Sequence, residues 1–194
     1  MNYIDNLKSR ISGERIRIVY PEGNEPRIVM AAAEVAKENI ASPILLGNAA
    51  QIQQTAWEVG VDITDMEIID PAESELLEQY VEKYAAETHF PAPAARVIIK
   101  KPLGFGAAMT RFGDADATVA GTVNRTSDVI QNCRQIIGME KGIKTPSSFM
   151  VMNTPHFAVE EGNAVVFADP GVNANPDPEQ LADTVETPEL KPKK

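Results

Sequence analysis

The sequence predicts an α/β protein built on an open, mostly parallel sheet with helices on both faces. Three observations predict it. Short β-branched and apolar runs alternate with longer stretches whose apolar residues recur at helical spacing. The runs are apolar at consecutive positions, as strands covered on both faces are. Gly, Pro or Asn closes most of them before the helical stretch begins, which is the punctuation of repeated strand, crossover, strand units in a parallel sheet.

Each element follows from its residues. Ile16-Arg17-Ile18-Val19-Tyr20 reads as a strand, Pro21-Glu22-Gly23-Asn24 as a turn, and Ile28, Val29, Ala32, Val35 and Ala36 mark a helix. Pro43 to Leu46 is a second strand ended by Gly47; a helix runs through Ile52 and Val59, and Glu67 to Asp70 is a third strand. Ser74 to Thr88 reads as a helix with Leu76, Leu77, Tyr80, Val81 and Tyr84 on one side. Pro91-Ala92-Pro93 reads as a loop, followed by a short helix at Val97 to Ile99 that Pro102 breaks.

Gly106 to Phe112 is expected to be helical and Ala117 to Ala120 a buried strand, while Val129, Ile130, Cys133, Ile136 and Ile137 form an amphipathic stripe ending at Gly138. Ser148 to Met152 and Ala164 to Ala168 read as two strands that pair as neighbours. Asp177, Pro178 and Gln180 have the pattern of a capping box with Pro in the first turn. That helix gets two turns before Thr187-Pro188. The expected organisation is an α/β domain over 1–145, the start of a second, truncated α/β domain over 146–187, and a polar tail over 188–194. A fold cut short leaves a sheet edge or face uncovered, so a homo-oligomer is expected.

Composition excludes several classes. Twenty-eight acidic residues against eighteen basic ones give a net charge of −10, which repels a nucleic-acid backbone. Cys133 is the only cysteine, and with only His89 and His156 no metal site is expected. No run approaches about 18 apolar residues and no leader-like segment opens the chain, so no membrane association and a cytoplasmic location are expected.

The best local candidate for chemistry is Gly121-Thr122-Val123-Asn124-Arg125-Thr126-Ser127-Asp128, between a buried strand and an amphipathic helix. Open α/β sheets bind ligands at such carboxyl ends. Unpaired N–H groups at the helix start, the hydroxyls of Thr122, Thr126 and Ser127, and the charge of Arg125 suit a phosphate or acyl phosphate. The same Asn124, Thr126 and Ser127 serve equally well as plain helix caps. Gly104-Phe105-Gly106 lacks the third small residue and the preceding strand of a dinucleotide site. Gly23 is explained by a tight turn, Asp114 and Asp116 by the turn before a strand, and Cys133 by core packing. Neither histidine has a triad partner at a known spacing, and no catalytic residue is assigned.

Taken in order, several stretches resemble the phosphate acetyltransferase and phosphate butyryltransferase family. They are Ile18-Val19-Tyr20-Pro21-Glu22-Gly23, Ile44-Leu45-Leu46-Gly47-Asn48, Phe112-Gly113-Asp114-Ala115-Asp116 through Ala120-Gly121-Thr122-Val123, and Thr126-Ser127-Asp128-Val129-Ile130. The series continues through Gln135-Ile136-Ile137, Ser147-Ser148-Phe149, Val166-Phe167-Ala168-Asp169 and Val172-Asn173 to Glu179-Gln180-Leu181-Ala182-Asp183. The resemblance implies an isocitrate/isopropylmalate dehydrogenase-like fold and reversible transfer of an acetyl or short acyl group between coenzyme A and phosphate. Coenzyme A and acetyl-CoA are then substrates, with no further cofactor. It also implies a truncated member, because the family's general-base Asp and its Ser-Arg pair near coenzyme A lie in a C-terminal region without counterpart here.

Substrate-facing positions implied by the resemblance together with the loop are Lys83, Arg125, Thr126, Ser127, Ser147 and Ser148. Two positions depart from the family pattern: Gln131 stands where an Arg is usual, and Arg125 where Thr is common. Lys83 aligns with a family Arg and keeps its charge without the bidentate fork. The alternative class is a non-catalytic binding or assembly module on the same fold.

Overall fold

The computed structural model describes residues 3–11, 16–154 and 164–186. The expectations for His156 and for the tail at 188–194 lie outside the described residues. The chain divides into two compact units, Ile11–Gly138 and a second made of Met1–Arg10 with Met139–Lys194.

The larger unit holds a four-stranded sheet in the order β3-β2-β1-β4, with every pairing parallel. Its strands are β1 (Arg17–Tyr20), β2 (Ser42–Leu46), β3 (Glu67–Ile69) and β4 (Ala117–Thr118). The connections are helical: α2 (Pro26–Lys37) follows β1, α3 (Ala49–Val59) follows β2, and α4 (Leu76–Thr88), α5 (Ala92–Ile99) and α6 (Pro102–Phe112) lie between β3 and β4. After β4 comes α7 (Thr126–Ile136). Successive side chains of a strand point to opposite faces, and both faces are covered. Val19, Ile44 and Leu46 pack with Leu77, Tyr80, Phe105 and Ile136 of α4, α6 and α7, whereas Tyr20 and Leu45 pack with Ile28, Val29, Ile52 and Ala56 of α2 and α3.

The first core is tied together by aromatic and polar contacts. Tyr80, fully buried, packs edge-on against Phe105 at 5.3 Å and stacks on Phe112 at 5.5 Å, while its hydroxyl donates to Asp114 Oδ2 at 2.7 Å. Burial, together with that acceptor, raises the phenol's pKa. Arg111 closes the far end of α7. Its guanidinium donates to the carbonyls of Ile136 at 2.7 Å and Ile137 at 3.2 Å and to Glu87 at 2.8 Å, and lies over the rings of Tyr84 and Phe112. A cation there complements the negative end of the helix dipole.

One expectation is corrected here. Pro93 sits in the first turn of α5 and not in a loop; α5 does end at Ile99, ahead of Pro102, and Pro102 itself opens α6. A first-turn residue has no intrahelical acceptor for its N–H, so proline costs little there and its fixed φ favours the start. The run Gly104-Phe105-Gly106 is accordingly helical and buried, with no strand before it.

In the other unit, α1 (Tyr3–Ile11) has Asp5 in its first turn and Lys8 and Arg10 in its last, which matches the helix dipole. There β5 (Phe149–Asn153) and β6 (Ala164–Ala168) pair antiparallel, Phe149 opposite Ala168 and Asn153 opposite Ala164. Phe149, Met150, Val151 and Met152 are all exposed, as are Val166 and Phe167. The capping box of α8 (Pro178–Glu186) is present in full: Gln180 N–H donates to Asp177 Oδ1 and Asp177 N–H to Gln180 Oε1, each at 2.9 Å. Among the described residues no helix is long and apolar enough to cross a membrane.

Candidate functional site

The chain runs β1, β2, β3 outward in one direction and then returns to place β4 on the other edge of β1. The carboxyl ends of β1 and β4 therefore diverge into loops that leave in opposite directions, and between such loops open α/β sheets form their ligand crevice. A cleft of about 750 Å³ lies there.

Its walls come from four segments of the larger unit. The β1–α2 turn contributes Pro21, Glu22, Asn24 and Glu25, the β4–α7 loop Val123 and Asn124, and the end of α5 with the start of α6 Ile98, Lys101, Pro102 and Leu103. The last wall is one stripe of α7, Asp128, Gln131, Asn132 and Gln135, spaced i, i+3, i+4 and i+7 so that they share a face. Three helices begin at this cleft, with Glu25, Lys101 and Arg125 at their N-cap positions, and none has a side-chain cap hydrogen bond. The positive ends of three helix dipoles therefore border it, although Pro26 and Pro102 carry no N–H at the starts of α2 and α6, and the N–H groups of Ile28 and Asp128 bond back to the carbonyls of Glu25 and Arg125.

The buried polar centre beside the cleft is Glu22, 6% exposed. Its Oε2 accepts from the N–H groups of Gly121 at 3.1 Å and Thr122 at 2.8 Å. Its Oε1 accepts from those of Val123 at 2.8 Å and Asn124 at 2.6 Å, and from Asn124 Nδ2 at 2.8 Å. Burial by itself would raise the carboxyl's pKa, but the donors of Asn124, Val123 and Thr122 outweigh it and hold the group below the ordinary glutamate range. Glu22 is mounted rigidly. The next residue, Gly23, donates its N–H to the Leu46 carbonyl at 3.2 Å, and a Cβ there would stand 2.6 Å from the Leu46 oxygen. From the same turn, Arg27 Nη2 reaches the Thr122 carbonyl at 3.5 Å and its Nε pairs with Glu25 at 2.6 Å.

The loop picked out from sequence is therefore at the cleft, with its work divided. The N–H groups of Gly121 to Asn124, which precede the helix start that the sequence offers to a ligand, are taken by the protein's own carboxylate. The capping alternative is also settled, since no side chain caps α7 and the Asn124 amide turns to Glu22. Arg125, Thr126 and Ser127 are exposed at the start of α7 and, unlike Asn124 and Asp128 on either side of them, are not among the residues that line the cleft. Lys83 stands elsewhere on the same unit: its Nζ lies 5.6 Å from the centre of the Phe112 ring and it does not line the cleft. Ser147 and Ser148 belong to the smaller unit, where the Ser148 hydroxyl donates to Asp169 Oδ1 at 3.1 Å. Asp169, at positive φ, also accepts from the N–H groups of Val172 and Asn173, at 3.0 Å each.

Sequence reasoning missed Glu22, Lys101 and the α7 stripe. For Glu22 the available signal was an acid placed two residues past a strand's end, inside a turn already singled out. Cys133 is half-buried and burial pushes its thiol pKa up, as for a packing residue. Among the described residues no three His, Cys, Asp or Glu side chains are placed to hold a metal ion.

The family model described as phosphate acetyl/butaryl transferase matches residues 2–189. The chain is 36% identical over 185 residues to the phosphate acetyltransferase of Thermoanaerobacterium thermosaccharolyticum, covering 94% of this chain and 56% of that protein. It is 33% identical over 186 residues to that of Acetivibrio thermocellus, covering 94% and 55%. Among solved structures, a phosphotransacetylase from Staphylococcus aureus superposes with TM-score 0.79 at 28% identity, over 93% of this chain and 53% of that one. One from Streptococcus pyogenes superposes with TM-score 0.81 at 28% identity, over 95% and 56%. The chain thus spans about half the length of the relatives it matches.

Proposed function

Because the chain belongs to the phosphate acetyl/butaryl transferase family, we propose that its cleft receives the phosphoryl end of an acyl phosphate during acyl transfer between coenzyme A and phosphate. One observation carries the proposal: three helix N-termini converge on a cleft at the point where the parallel sheet reverses its strand order. Fixed N–H dipoles suit a dianion without the cost of reorganising solvent.

The residues take these roles. Arg125, Thr126 and Ser127 supply charge and hydroxyl donors at the tip of α7, and Lys101 supplies a cation across the cleft. Lys83, held over Phe112, contributes field rather than contact. Ser147 and Ser148 are assigned as substrate-binding residues on the strength of the resemblance alone. Thiol attack on the acyl carbonyl needs a base for the thiol proton and donors for the tetrahedral oxyanion. Glu22 does not fit the base, because both its oxygens are committed to N–H donors and its carboxyl is held below the usual range. Acetyl-CoA and acetyl phosphate are the proposed substrates, and a cytoplasmic homodimer without nucleic-acid partners is the proposed context; the net charge of −10 supports the last point.

The test is release of free thiol from acetyl-CoA on addition of phosphate, together with a phosphate titration followed by thermal melting. A folded chain that neither turns over nor responds to phosphate refutes the proposal. A second function, assembly without catalysis, is favoured by the exposed apolar side chains of β5 and β6. Light scattering that finds a stable monomer counts against it.

A further inference from the structure

Backbone N–H groups of four successive residues, Gly121 to Asn124, converge on one small volume, and the Glu22 carboxylate fills it. Consecutive N–H groups facing inward form an anion-binding hollow, the geometry by which proteins hold phosphates and carboxylates. Here the anion is internal and comes from a residue about a hundred positions away. The same turn holds the loop from its acceptor side as well, through Arg27 and the Thr122 carbonyl. The loop that leads into Arg125, Thr126 and Ser127 is therefore set by the β1–α2 turn, and that turn is itself pinned to β2 through Gly23 and Leu46.

We propose that Glu22 is the positioning residue of the cleft: its carboxylate occupies the hollow of the Gly121–Asn124 loop, fixes how α7 presents Arg125, Thr126 and Ser127, and makes an incoming phosphoryl group stop at the first turn of α7. Only the last part rests on the function proposed above. The first two parts concern the loop alone.

Glu22→Ala leaves five donors around a vacancy the size of a carboxylate, which free formate fits. In thermal melts of the full chain at pH 7, tens of millimolar sodium formate should raise the midpoint of Glu22→Ala by roughly 5 °C over the same concentration of chloride. Wild type should not respond. Equal responses of the two proteins overturn the proposal. Should Glu22→Ala fail to fold, Glu22→Gln keeps the shape but turns an NH2 group toward N–H donors. Amide exchange at Gly121 to Asn124 should then quicken by about tenfold or more while the β1–β2 ladder keeps its protection; unchanged exchange in the loop overturns the proposal.

A phosphate titration read from backbone amide NMR signals separates this inference from the function. In wild type, phosphate should move the signals of Thr126 and Ser127 and leave those of Gly121 to Asn124 in place, whereas in Glu22→Ala it should move the loop signals too. Phosphate acting on the loop of wild type overturns the exclusion. A wild type that ignores phosphate altogether sinks the proposed function, and the formate comparison still decides the role of Glu22.

Discussion

Two glycines of α6, two positions apart, should respond to the same substitution in different ways. A Cβ added at Gly104 would stand 2.2 Å from the Ile98 carbonyl oxygen and 2.9 Å from its carbon. Those are backbone atoms, and that carbonyl already accepts the Lys101 N–H at 3.2 Å, so about 1 Å of relief must come from separating α5 from α6. A Cβ at Gly106 would meet Pro21 Cγ at 2.9 Å, the far end of a ring that repuckers, and Val19 Cγ1 at 3.5 Å. Overpacking of the first kind costs about 3 kcal/mol, against about 1 kcal/mol for the second, and both changes gain about 1 kcal/mol of helix propensity over glycine. Gly104→Ala should therefore lose about 2 kcal/mol net, a fall of roughly 6–10 °C in melting midpoint, while Gly106→Ala should stay within roughly 3 °C of wild type. Melts by circular dichroism at matched concentration decide. A Gly104→Ala protein as stable as wild type, or a loss at Gly106 as large as at Gly104, refutes the reasoning.

Arg111→Lys removes the planar fork that serves two carbonyls and Glu87 at once, and should cost about 1–2 kcal/mol in urea titrations; an unchanged midpoint contradicts the role given to that guanidinium. Burial alone would raise the carboxyls of Glu22 and Asp169, yet hydrogen bonding holds both below their usual ranges. Folded values below unfolded ones mean that their stabilisation is present above about pH 4.3 and 3.9 respectively and is lost as pH falls through the folded values. Acid melts should show that loss, and Glu22→Gln should flatten the part belonging to Glu22; a variant profile parallel to wild type would count against it. Cys133, its thiol pKa raised by burial, should react with iodoacetamide at pH 8 at least about tenfold more slowly in the folded chain than in urea; equal rates would show the thiol to be free in the fold.

Elements whose signal is local were legible. The apolar runs at 16–20 and 43–46 are β1 and β2, and the face of α4 read from spacing is the buried one, Leu77, Tyr80, Val81 and Tyr84. Asp177 and Gln180 form the bonds their spacing implies. Pro93 misled because proline suits a loop as well as the first turn of a helix, and sequence alone did not say that it stood on the helical side. The α7 stripe of Asp128, Gln131, Asn132 and Gln135 reads as an ordinary solvated face; only the turn after β1 and the start of α6, both distant in sequence, make it a wall. Glu22 stood in a turn that the sequence does single out, but its role was not legible there, because nothing in that turn announces four amides that arrive about a hundred residues later.

That separation has a bearing on how the chain is made. As the polypeptide leaves the ribosome, β1 has β2 available after some twenty residues, but its opposite edge stays bare until Ala117 and Thr118 have been synthesised. Synthesis at about 5–20 residues per second makes that interval one of seconds, during which β1 has an open strand edge and Glu22 lacks its amide partners. The interval is one in which a holding chaperone would find something to grip, and it ends when the amides of the β4–α7 loop close over the glutamate.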